Sequence, residues 1–180
     1  MASESLFASA PSFDQPLAVL KHCHDRIRKQ LATLDKLQAH LQQHGADEQA
    51  QQAALAILRY FIQAAPLHHE DEEHDLFPAL QSSVNGDDKL IFEQHLATIL
   101  QQHQVMAGLW DGLRTQLQAI SNGEAHPLDA ELIQRFKTLY VSHMELEETQ
   151  IAPLAARTLN AEQFANMSQR MQQRRGIEAR

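Results

Sequence analysis

Apolar residues recur along the first part of the chain in alternating steps of three and four, and Leu17, Leu20, Ile27, Leu31 and Leu34 fall on one stripe. Such a stripe is the core-facing side of an amphipathic helix. One member of it is polar: the step from Leu20 to Ile27 is completed by His24. The pattern returns at Leu96, Ile99, Met106, Trp110, Leu113 and Leu117, with His103 between Ile99 and Met106. Two long helices are predicted, each with a histidine where a core residue would otherwise stand.

Local punctuation places the ends of the elements. Ser12 to Gln15 reads as a Ser-x-x-Gln capping box followed by Pro16 in the first turn, so a first helix runs to about Gln43. After the turn Gly45 to Asp47, a second stretch carries Pro66, a predicted kink, and ends near Ser82 before Asn85-Gly86. Asp87 or Asp88 would cap a third helix reaching about Ile120, and Pro127 to Asp129 opens a fourth toward Leu159. Asn160 and Gln163 form another capping-box pattern for a short fifth helix, with Arg174 onward a fraying polar tail. Six glycines, six prolines and few β-branched residues leave little for strands. Short connections favour antiparallel neighbours. The fold class predicted is all-α: an up-down-up-down four-helix bundle over residues 13–159, after a flexible N-terminus (1–12) and before a short helix and tail (160–180).

The bundle is internally duplicated. An offset of 79 lays Leu17, Leu20, His24, Ile27 and Leu34 on Leu96, Ile99, His103, Met106 and Leu113. An offset of 75 lays Phe61, His68, Glu72, Glu73, Leu76 and Pro78 on Phe136, His143, Glu147, Glu148, Ile151 and Pro153. A spacing of four puts His68 with Glu72, and His143 with Glu147, on one helix face each. Four histidines and two glutamates thus converge on the bundle centre. Burying that many ionisable groups costs several kcal/mol unless they pair or hold a cation, and coordination satisfies them all. Two ions fit better than one, and a division into two imidazoles and shared carboxylates per ion suits iron better than zinc.

Composition narrows the classes. With 15 Lys plus Arg against 23 Asp plus Glu, the net charge of −8 offers nothing to a nucleic acid or an anionic membrane surface. No apolar run approaches the roughly 18 residues of a membrane span, and Met1 to Pro11 lacks a signal-peptide pattern, so the expected location is cytoplasmic. A lone Cys23 forms no internal disulfide. Eleven histidines in 180 residues are the unusual entry.

The segments Cys23 to Ile27, His68 to Pro78, His103 to Trp110, and His143 to Glu148 with Pro153 together resemble the hemerythrin-like proteins of the HHE cation-binding family, over roughly residues 17–155. The resemblance implies an oxo- or hydroxo-bridged di-iron centre with His24, His68, His103 and His143 terminal and Glu72 and Glu147 bridging. The oxygen-carrying hemerythrins use five histidines, with His-x-x-x-His on one helix, whereas Glu147 stands where that extra histidine would be. The four-histidine, two-glutamate pattern is similar instead to iron-sulfur repair proteins of the nitric-oxide response and to iron-sensing hemerythrin domains. Simple reversible oxygen carriage is not expected. Counting donors leaves each iron five-coordinate with one open position, for oxygen, nitric oxide or peroxide.

Several alternatives stay open. His69 with Glu73 rivals His68 with Glu72, although the ten residues to Pro78, matching His143 to Pro153, favour the latter. His95 rivals His103 but lies about 80° off the apolar stripe. Glu70, Asp71, Glu73, His74 and Asp75 read as a solvated face, with Glu73 and His74 available to orient ligands. Cys23 lacks an activating partner, and no catalytic residue is assigned. The function expected is a binder or sensor of oxygen, nitric oxide or iron in a stress response, more a binding protein than an enzyme. The alternatives are a di-iron oxidase or peroxidase, an iron donor to damaged clusters, and a metal-free interaction bundle. Manganese and a homodimer are compatible with the same residues.

Overall fold

The computed structural model describes residues 11–177, and residues 1–10 of the expected flexible N-terminus lie outside them. The described residues are helical with no strand among them. Helix α1 (Pro16–His44) starts on Pro16, whose fixed φ suits the first helical position. The expected Ser12–Gln15 box does not form. Gln15 is itself the cap residue, so Ser12 stands three positions too early and only its carbonyl takes part, accepting the Gln15 amide at 3.0 Å. Gly45, at φ 65°, closes α1 in a conformation that a side chain would strain.

Helix α2 covers residues 48–83 and begins at Asp47, whose carboxylate accepts the Ala50 amide at 2.9 Å. Its path is α-helical except for two π turns, Tyr60–Ala64 and Glu72–Leu76. The kink expected at Pro66 is therefore a π turn, and Pro78 has one too. In each, the residue just before the proline reaches back five residues, Ala65 to the Tyr60 carbonyl and Phe77 to the Glu72 carbonyl. Proline has no amide to give and its ring displaces the carbonyl four residues back. One extra residue in the preceding turn accommodates that displacement without ending the helix.

Helix α3 (Gly86–Ser121) follows Asn85 and starts on Gly86 at φ 56°. Neither Asp87 nor Asp88 caps it, because the helix begins before them; both lie in its first turn, where the helix dipole favours a carboxylate. Helix α4 covers residues 130–158, is capped by Asp129, and contains a third π turn, Glu147–Ile151, in which Ala152 reaches back to the Glu147 carbonyl just before Pro153. Helix α5 (Ala161–Arg174) opens with the full capping box: Asn160 accepts the Gln163 amide at 2.9 Å and the Gln163 side chain accepts the Asn160 amide at 3.0 Å.

Helix α1 packs on α2 and α4, α3 packs on the same two, and α5 lies across α1 and α2. The apolar interior is divided. Ile27, Leu34, Ile57, Leu113 and Phe136 belong to one cluster, and Leu20, Leu76, Phe92, Ile99 and Leu154 to another. The histidine and glutamate positions of α1 to α4 fall between the two.

Candidate metal centre

His24, His68, Glu72, His103, His143 and Glu147 are all buried, none more than 7% exposed. They fall into two groups in which the potential donor atoms lie within 4.8 Å of one another: His24, His68, Glu72 and Glu147 form one, and His69, Glu72, His103 and His143 the other. Glu72 faces both. Its Oε1 is 3.1 Å from His68 Nε2 and 4.0 Å from His24 Nε2, while its Oε2 is 3.6 Å from His103 Nε2. Glu147 Oε2 also spans the groups, 3.1 Å from His24 Nε2 and 3.3 Å from His143 Nε2.

The histidines are aimed from behind. His24 Nδ1 donates to Glu148 Oε1 at 2.9 Å, and Arg28 holds that carboxylate through both oxygens at 2.9 Å. His103 Nδ1 donates to Glu73 Oε1 at 2.6 Å, and His143 Nδ1 to Gln102 Oε1 at 3.2 Å. Placing the proton on Nδ1 leaves a lone pair on each Nε2, turned toward the centre. His103 Nε2 and His143 Nε2 then face one another at 3.4 Å as two lone pairs with no proton between them.

That arrangement is unsatisfied without a cation. Among the described residues, His24 Nε2, both ring nitrogens of His68, His69 Nε2, Glu72 Oε2 and both Glu147 oxygens are buried without a hydrogen-bond partner. Burial holds His68 and His143 well below the usual histidine range, His69 to about 3 and His103 to about 4, so these rings are neutral donors. Burial, with the charge of Glu147 beside it, pushes Glu72 well up, and burial also raises Glu147. Neutral imidazoles around carboxylates that resist ionisation are a donor set whose missing partner is positive charge, and bound metal would supply it.

His69 is the residue that sequence reasoning did not add. The alternatives were His68 with Glu72 or His69 with Glu73, but adjacent helical residues diverge by about 100°, and the two histidines serve opposite groups. His69 stacks on His103 with ring centroids 4.0 Å apart. The adjacent pair His68-His69 was the available signal. Glu73 contributes from outside, through His103, while His74 is exposed and His95 belongs to neither group. The expected solvated face is also corrected, because Asp71 and Asp75 are buried and ion-paired to arginines of α5 and the residue after it. Burial raises the Cys23 thiol, which makes it a poor nucleophile at neutral pH.

A cavity of about 420 Å³ between α1 and α4 reaches His24, Glu72 and Glu147 past walls of Leu17, Leu20 and Ile151. A larger groove of about 1000 Å³, between the start of α1 and α5, shares the Leu17 wall but touches none of His24, Glu72 and Glu147.

The model of the hemerythrin HHE cation-binding domain matches residues 15–155. The chain belongs to that family. An uncharacterized protein of Haemophilus influenzae is 30% identical to it over 166 residues, 92% of this chain and 93% of that one. HHE domains bind metal ions, typically iron, and the two side-chain groups lie inside the matched span. No helix among the described residues is long and apolar enough to cross a membrane.

Proposed function

We propose that the four long helices form an up-down-up-down bundle whose polar layer holds two iron ions and binds oxygen or nitric oxide there. His24 and His68 would serve one ion, His69, His103 and His143 the other, and Glu72 and Glu147 would bridge them. The observation that carries this is the pair of buried donor groups sharing Glu72, with inward atoms of His24, His68, His69, Glu72 and Glu147 unpartnered. Iron so held supplies a reversible change of oxidation state and an open coordination position.

The fifth histidine alters the donor count. With two imidazoles on one side and three on the other, the side with room for an outside ligand is that of His24 and His68. The apolar cavity meets this side. The cavity leads past Leu17, Leu20 and Ile151 to His24, and a diatomic ligand would reach the centre by that path. Glu148 and Arg28 fix the His24 ring from the opposite edge, so its inward nitrogen stays aimed as the ligand arrives. The chain's own residues thus bind the centre and orient its donors.

Metal content by mass spectrometry on protein purified without oxygen, followed by absorption spectra before and after air and nitric oxide, tests the proposal. About two irons per chain, with a spectrum that responds to either gas, is the expected result. No stoichiometric metal after anaerobic loading with ferrous iron would overturn it and leave a metal-free bundle. Two irons with a spectrum indifferent to both gases would overturn the ligand-binding part alone.

A further inference from the structure

Asp71 and Asp75 flank Glu72 on α2, and both are buried, at 0% and 4% exposure. A buried carboxylate is tolerated only when paired, and every partner here comes from the C-terminal end of α5 or the residue after it. Arg174 donates to Asp71 and, at 2.9 Å, to Asp75 Oδ2. Arg175 grips Asp71 through both oxygens, at 2.6 and 3.1 Å, and donates to the Met171 carbonyl at 3.0 Å. Arg170 reaches Asp75 at 3.3 Å. The fork geometry of guanidinium on carboxylate fixes orientation as well as charge.

The internal duplication shows what this clamp replaces. At the 75-residue offset, Asp71 corresponds to Leu146 and Asp75 to Gln150. Leu146, directly before Glu147, packs against the apolar cluster of Leu20, Phe92 and Ile151. Both copies form a π turn ahead of their proline, so the clamp is not needed for the turn itself. One buried glutamate is thus anchored by an apolar neighbour, the other by a carboxylate tied to a helix that lies outside the repeat.

We propose that Asp71, held by Arg174 and Arg175, is a positioning residue for Glu72, and that docking of α5 and occupancy of the metal centre are coupled through it. The proposal rests on the metal-binding function above. Its logic is reciprocal. If a docked α5 keeps Glu72 between the two donor groups, then metal drawing on Glu72 must in turn hold α5 down.

The test uses full-length protein loaded anaerobically with ferrous iron, whose release to a chelator is timed. Asp71→Asn and Arg174→Ala are expected to release iron about ten- to a hundred-fold faster, the range for lost outer support of a metal ligand. Their helix content should be unchanged and the absorption of the loaded centre shifted. Arg175→Lys should retain iron better than Arg175→Ala. Arg157→Ala, which removes a surface pair with Asp88 on α3, should behave as the parent. In the parent protein, iron should slow amide exchange across α5. If Asp71→Asn fails to fold, that exchange measurement decides alone. Parent-like iron release from folded variants, or α5 exchange indifferent to iron, overturns the coupling while leaving the metal site standing. A parent protein that takes up no iron overturns both.

Discussion

An imidazole that donates through one nitrogen can offer a lone pair only through the other, and this division decides what each histidine of the polar layer can do. His24, His103 and His143 have outer acceptors in Glu148, Glu73 and Gln102, and their inner nitrogens are free to bind. His69 has stacking on His103 instead. Its contribution is separable, because it belongs to only one of the two donor groups. His69→Ala is expected to lower the iron retained against a competing chelator from about two per chain toward one, while His95→Ala leaves it near two; elemental analysis after chelator dialysis reads the difference. Equal retention in both variants would remove His69 from the site. That both His68 and His69 face inward was hidden in the sequence because a repeat aligns one residue with one residue, and only His68 has a partner in the second copy. The convergence of the other six side chains was legible, since duplicated spacing and the apolar stripe together specify which face each occupies.

Helices are where local chemistry predicted most and where it stopped. Asp47, Asp129 and Asn160 cap as their types require, and glycines mark the chain turns. The π turns escaped because a proline inside a helical pattern signals a disturbance without saying how it is absorbed. The buried ion pairs of α5 escaped for another reason: Arg174 and Asp71 are 103 residues apart, and a run of charge looks solvated until a distant helix is laid on it. Two of the three π turns begin on Glu72 and Glu147 themselves, so the prolines belong to the geometry of the site. Pro78→Ala restores an amide to α2 and removes a residue costing about 3 kcal/mol in a helix interior. The variant is expected to melt higher than the parent when metal-free and to bind iron more weakly. Calorimetry of the metal-free protein with iron titration of the same sample reads both, and a variant that gains stability with unchanged iron affinity would separate the turn from the site.

For the whole molecule, a layer of ionisable groups between two apolar clusters makes the metal-free fold depend on pH in a direction that can be worked out. His68, His69, His103 and His143 have folded-state pKa values below the ordinary 6.5, with His69 at about 3 and His103 at about 4. Below pH 6.5 the unfolded chain therefore binds more protons than the folded one, and stability falls as acid is added. Glu72 and Glu147 are raised above 4.5. Above that pH the unfolded chain has already lost protons that the folded one keeps, so these two weaken the fold as pH rises. Four groups outweigh two on the acid side, and above the histidine range Glu72, held well up by burial, and the raised Cys23 thiol act in the opposite direction. The metal-free protein should be most stable near pH 6.5 and lose stability on either side. Iron alters the alkaline limb, because a bound cation favours ionised carboxylates and removes the reason for them to keep a proton. Melting temperatures across pH 5 to 9 should trace a dome for the metal-free protein and a plateau above pH 6.5 for the loaded one. Superimposable curves with and without iron would mean that the metal is bound somewhere other than this layer.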